Sequence, residues 1–333
     1  MTQAALPTIK KPFLSPYYMA LSGLWLAIFL WGMHAPAGRY LAMRGVSMTG
    51  LMAARLWIGS IIFWTFLILK GKVDMSFLRG NFRKVATLSV IGIYLNMMTF
   101  QYGMKYIPAT LVLLLENLAP FFVILLRWKM DGKTPTRIET FCQATAFSGL
   151  LIIILGKGGI SGDWNQFLIG IILESIAGIT WAVYTYFSGR WLNSIIFKDK
   201  TADRFFPCLN FICILLTISA ILATPNLFAL NVHTLEMNDY LLILMVGIFQ
   251  TGIAFMLWNY ALGILPVTLV SICFYMTVVF TCMNEMIFLH LRPTAIIYFG
   301  AALILGSALQ LAYNQARKDK REATLIATTE TAS

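Results

Sequence analysis

SVIGIYLNMMTFQYGMKYIPATLVLLLENLAPFFVILLR, residues 89–127, has an echo later in the same chain. Moving 158 residues on carries the apolar run 88–104 onto 246–262, and Pro108, Thr110, Leu111 and Val112 onto Pro266, Thr268, Leu269 and Val270. Met98 meets Met256, Tyr102 meets Tyr260, and the amides Gln101 and Asn259 coincide. Beyond the next loop the match resumes without a gap. Pro135 and Thr136 fall on Pro293 and Thr294, Ile138 on Ile296, Phe141 on Phe299 and Ala144 on Ala302. An ungapped echo of that extent marks an internal repeat.

Composition fixes the solvent in which the repeat folds. Of 333 residues, 59% are hydrophobic and 12% charged, about half the charged share of a soluble domain. Runs of about 20 apolar residues require a bilayer. A net charge of +11 would suit nucleic acid, but the basic residues fall mostly outside the apolar runs, in loops and tails, so nucleic-acid binding is set aside. Apolar helices are expected at 17–33, 48–69, 85–104, 108–128, 137–156, 166–187, 206–224, 239–262, 266–289 and 293–313, ten in all. No small-residue cleavage site follows the first, so it reads as a span and not as a signal peptide. The organisation is then a tail at 1–16, a five-helix repeat at 17–157, a second at 158–313, and a tail at 314–333. That last tail carries Arg317, Lys318, Lys320 and Arg321 before a Thr- and Ala-rich end, and is expected to be disordered.

Lys and Arg stay on the cytoplasmic side of a membrane. With the N-terminus inside, that side holds nineteen basic residues and the other side five: Arg39, Arg44, Lys105, Lys157 and Arg292. Equivalent loops of the two repeats are sorted oppositely, since 70–84 has five basic residues and 225–238 has none. Five helices per unit force the second copy to face the other way, so the expected fold is all-α, with two inverted repeats around a central site.

The runs Phe29-Leu30-Trp31-Gly32, Ala53-Ala54-Arg55-Leu56, Pro108-Ala109-Thr110-Leu111, Leu118-Ala119-Pro120-Phe121, Thr180-Trp181-Ala182-Val183-Tyr184 and Phe299-Gly300-Ala301-Ala302-Leu303-Ile304 are each weak signals. In this order they resemble the drug/metabolite transporter superfamily, nearest its EamA-type members, over about residues 20–312. The resemblance implies ten helices, cytoplasmic termini and a small-solute carrier, often an exporter of amino acids or related metabolites; the expected location is a bacterial inner membrane. The sequence departs from the family's glutamate-containing turns at Lys129-Met130-Asp131-Gly132-Lys133 and at Leu289-His290-Leu291-Arg292, so no role of that glutamate is transferred.

Ionisable side chains inside a membrane are expensive and point to function. Arg55, Glu116 and Glu174 each lie about 10–12 Å from the same boundary, and Glu285 is shallower. Three readings of Arg55 stand: a structural pair with Glu116, a role in solute binding or gating, or snorkelling to the surface. Trp31, His34, Asn96, Gln101, Trp181, Tyr184, Gln250, Asn259 and Tyr275 are further candidates to line the cavity, with helix packing as the alternative for each. Pro120 and Pro36 are expected to kink helices 4 and 1 as hinges. Trp128, Trp164 and Trp191 sit at helix ends and read as interfacial anchors.

The five cysteines lie singly in apolar runs, and no H-E-x-x-H, P-loop or dinucleotide fingerprint is present. No metal, ATP or nicotinamide cofactor is expected. The expected partners are a small-molecule substrate, membrane lipids and a coupling proton or exchanged solute. A phosphate-ester or nucleotide-sugar antiporter is the alternative within transport, and it would call for several cations at mid-membrane. An intramembrane enzyme or lipid-handling protein is the alternative of another class.

Overall fold

The computed structural model describes residues 16–107, 112, 115–156, 164–196, 204–230, 235–289 and 294–332, and every regular element among them is helical. In chain order the α-helices are α1 (Pro16–Gly32), α2 (His34–Met43), α3 (Met48–Leu69), α4 (Phe82–Leu88), α5 (Asn96–Gly103), α6 (Ala119–Asp131), α7 (Arg137–Gly156), α8 (Trp164–Trp191), α9 (Phe205–Ala223), α10 (Met237–Met245), α11 (Ala254–Leu262), α12 (Val267–Cys273), α13 (Met276–Leu289) and α14 (Ala295–Ala332). Three π segments join them, at Ser89–Leu95, Leu192–Ile196 and Val246–Ile253.

Helix is the required answer for such a sequence. In hydrocarbon each backbone N–H and C=O must find its partner within the segment. Among the described residues, seven stretches are long and apolar enough to cross a bilayer: Pro16–Met43, Met48–Leu69, Phe167–Ile196, Phe205–Ala229, Met237–Leu262, Val267–Asn284 and Ala295–Asn314. Of the other expected spans, 85–104 is helical to Gly103 through α4, the first π segment and α5, and 137–156 is α7. The span 108–128 lies partly outside the described residues, and so does the Pro108-Ala109-Thr110-Leu111 motif.

Two expectations are corrected. The first helix does not end at residue 33. It turns at Met33 and runs on as α2 to Met43, because Pro36 lacks the N–H that would bond to the Gly32 carbonyl and so breaks the ladder without stopping the chain from resuming it. The C-terminal tail is not disordered along its backbone: α14 continues to Ala332. From Asn314 onward the chain has no Gly or Pro and carries four Ala and four Lys or Arg, so nothing interrupts a helix already nucleated within the bundle.

The echo of the sequence reappears in the backbone. The π segments Ser89–Leu95 and Val246–Ile253 end at equivalent positions, and α5 and α11 start at equivalent positions. The next helix of each copy is interrupted, by a turn at Asn117 and Leu118 in one and at Phe274 and Tyr275 in the other. Pro120 stands in the first turn of α6, where its missing N–H costs nothing. The second copy has Val278 at that place and is interrupted all the same, so proline is not what creates the break.

Helix α1 packs on α11 and α13, α3 on α9 and the second π segment, α5 on α8, and α7 on α14. Polar ties between the two copies sit at both ends of the bundle. At one end Arg44 pairs with Glu236 and, at 3.4 Å, with Asp239, which is fully buried. At the other, Arg127 grips Glu139 through both terminal nitrogens, at 2.6 and 2.8 Å, and Thr268 donates its hydroxyl to Glu139 at 3.1 Å.

Candidate functional site

Between the two copies lies a cavity of about 100 Å³ lined by Trp31, His34, Arg55, Asn96, Met97, Phe100, Gln101, Glu116, Trp181, Phe255, Phe274, Thr277 and Thr281. Its position follows from the helix breaks. His34 opens α2 just past the turn at Met33, Glu116 immediately precedes the turn before α6, and Phe274 belongs to the turn before α13. Asn96, Met97, Phe100 and Gln101 follow the first π segment, and Phe255 follows the second.

Arg55 is 6% exposed, and its guanidinium is held from one side. Its Nε donates to Thr251 Oγ1 at 2.8 Å, and Nη1 lies 3.3 Å from His34 Nδ1. That ring nitrogen lies 3.0 Å from Gln250 Oε1. Gln250 also accepts the Trp31 indole N–H on its backbone oxygen at 2.9 Å. Both Gln250 and Thr251 lie in the π segment Val246–Ile253, whose altered ladder turns polar groups off the usual helix register. The π segment is thus the mould in which the arginine is set.

Glu116 shares the cavity with Arg55 and is within its electrostatic reach, but the two make no direct ion pair among the described residues. The cavity therefore presents a cation and a carboxyl as separate features. Its apolar wall is an aromatic cluster in which Trp31 meets Trp181, Phe255 and Trp258 at ring-centroid distances of 5.3, 5.4 and 5.2 Å. Trp181 in turn packs on Phe274 at 5.5 Å.

Of the residues expected from sequence, Trp31, His34, Arg55, Asn96, Gln101, Glu116 and Trp181 line the cavity. Gln250 stands behind it as a support. Tyr184 and Asn259 lie beneath the aromatic cluster, joined by a 2.6 Å bond from Asn259 Nδ2 to the tyrosine hydroxyl. Tyr275 is fully buried and accepts from Gln143 Nε2 at 2.8 Å, which ties its helix break to α7. Glu174 is fully buried against Gly103, away from the lining. The side chain of Glu285 lies outside the described residues. Sequence reading missed Met97, Phe100, Thr251, Phe255, Phe274, Thr277 and Thr281. The echo itself held a signal for one of them, since Phe274 is the counterpart of Glu116.

The profile of the EamA-like transporter family matches residues 19–155 and again residues 168–313. The chain belongs to the EamA-like transporter family. The double match falls on the two copies that share the cavity between them. An uncharacterized transporter of Archaeoglobus fulgidus is 25% identical over 228 residues, covering 67% of this chain and 73% of that protein. A crystal structure of another protein shares the fold with a TM-score of 0.75 at 20% identity, covering 91% of this chain and 98% of that one. This EamA-family protein is accordingly an integral membrane transporter. Within it, Gly178 of α8 faces the backbone before α6. A Cβ there would stand 2.7 Å from the Leu115 carbonyl oxygen, so the glycine sets how closely the two helices approach beside the cavity.

Proposed function

We propose that this protein is a secondary carrier exporting a small zwitterionic metabolite of the amino-acid class, by alternating access of two inverted five-helix halves. The observation that carries the reading is the separation of charge in the cavity. Arg55 is anchored by Thr251 and His34, Glu116 lines the same space without pairing with it, and aromatic rings close one side. A carboxylate on the solute suits the guanidinium, an ammonium suits the carboxyl, and an apolar side chain suits the indoles. A phosphate ester fits less well, because Arg55 is the sole Lys or Arg of the lining among the described residues. The charge sorting of the loops supports a bacterial inner-membrane orientation with both termini in the cytoplasm, and the ten-helix, 17–157 and 158–313 division belongs to the same reading.

Thermal unfolding of the purified protein against a panel of amino acids, amines and nucleosides tests this. An aromatic amino acid such as phenylalanine is expected to raise the midpoint. Arg55→Lys, which keeps the charge but loses the planar fork, is expected to weaken that binding by about tenfold or more, roughly 1.4 kcal/mol, while leaving the unliganded midpoint nearly unchanged. Stabilisation by amines or nucleosides but not by amino acids would sink the zwitterion reading.

A further inference from the structure

Glu174 is a carboxylic acid for which the cavity provides no use. It lies seven residues before Trp181 on α8, which puts it on the same face as that lining residue and about 10 Å along the helix. It is completely buried, and among the described residues neither carboxyl oxygen has a hydrogen-bond partner. Room for the group is provided by Gly103, where a Cβ would fall 2.4 Å from Glu174 Oε1. Two residues before that glycine, Gln101 lines the cavity with its own Oε1 buried and unpartnered. Burial weighs first against a charge on Glu174, and the charged group that bears on it next is Glu116, of like sign. Arg83 and Lys84 on α4, and Arg127, Lys129 and Asp131 on α6, are carried by elements packed against α8, and among the described residues none of them pairs with Glu174. Tyr102, next to Gly103, is more than a third exposed. A carboxylate anion in this place would have neither donor nor counter-ion among the described residues, whereas a carboxylic acid needs neither.

We propose that Glu174 is a proton-binding site distinct from the solute cavity, loaded while α8 packs on Gly103 and emptied through the cavity, by way of Glu116, when that contact opens. The proton leaves the Glu174 carboxyl for the Glu116 carboxylate and passes from there to cavity water, so no other reactant is involved. Its place in coupling rests on the carrier reading above; its capacity to hold a proton does not.

Infrared difference spectroscopy of the full-length protein in liposomes across a pH step reads the proton directly. The carbonyl stretch of a protonated carboxyl is expected at neutral pH in the unmodified protein and in Glu116→Gln, and is expected to vanish in Glu174→Gln, whose amide keeps the shape of the neutral acid. Persistence of the band in Glu174→Gln, its loss in Glu116→Gln, or its absence from the unmodified protein would each overturn the proposal. Should Glu174→Gln not fold, Glu174→Asp serves instead, with a shifted band expected and an unshifted one overturning it. The same liposomes, given phenylalanine as the probe, separate coupling from exchange. In Glu174→Gln, accumulation driven by a pH gradient is expected to fall by about tenfold or more while equilibrium exchange persists. Loss of both together would make Glu174 structural and overturn the coupling role. If the unmodified protein moves no phenylalanine, the zwitterion reading fails and the infrared result still decides Glu174.

Discussion

Arg55 and Tyr275 show how differently two buried polar side chains serve the same site. The guanidinium keeps its charge wherever it sits, so the fold surrounds it with Thr251, His34 and the cavity. Tyr275 does not touch the cavity, and its hydroxyl is consumed by Gln143. Removing that hydroxyl in Tyr275→Phe leaves a buried amide N–H unsatisfied. It is expected to cost about 1–3 kcal/mol of stability, read by denaturant unfolding in detergent, with solute affinity unchanged. A loss of affinity at unchanged stability would return Tyr275 to the binding site. Both residues read alike in the sequence, as polar groups in apolar runs. Only the partner across the helix contact tells them apart, and a partner 132 residues away is invisible to local pattern.

At the scale of elements, spans were legible because a bilayer leaves a chain few options, and their facing was not, because nearly all-apolar helices show little amphipathic contrast. Phe255 and Phe274 escaped for that reason: the register of the echo aside, nothing in an aromatic residue of an apolar run says that it faces a cavity and not lipid. The tail escaped through a different gap, since low hydropathy argues against a membrane span without arguing against a helix, and α14 continues where the apolar run stops. Helix contacts in turn lend themselves to direct tests. Gly178→Ala places a carbon 2.7 Å from a carbonyl oxygen that cannot rotate away. It is expected to destabilise the protein by about 1–3 kcal/mol in the same unfolding assay; a neutral substitution would show that α8 has slack against the segment before α6. The two end ties should differ sharply. Glu139 is 10% exposed at the side chain and held by Arg127, Thr136 and Thr268, so Glu139→Ala is expected to cost about 3–5 kcal/mol. Arg44 is 35% exposed at the side chain, and Asp239 keeps the Glu236 backbone N–H as a donor when the guanidinium is removed, so Arg44→Ala is expected to cost clearly less than Glu139→Ala. Equal losses would mean that both ends are buried alike in the membrane-embedded protein.

For the whole molecule, the proposed inversion has a decisive test in topology. Single cysteines at Ser76, ahead of α4, and at Met237, the exposed first residue of α10, are expected to react with an impermeant thiol reagent from opposite faces of the membrane, in a background where the native cysteines are buried. Reaction from the same face would exclude inversion. The paired π segments carry a further consequence. Each delays the backbone ladder, and in an α-helix one residue corresponds to a rotation of about 100°. Excising one residue from Val246–Ile253 and letting the ladder close as plain α would swing Gln250 and Thr251 away from Trp31 and Arg55, or else carry Phe255 and Trp258 out of the aromatic cluster, because a rigid rod cannot satisfy both. The same excision in Ser89–Leu95 would displace Asn96 from the Ala177 carbonyl it now reaches at 2.8 Å. The phase of each helix, as much as its composition, is therefore what the two halves of this chain have in common.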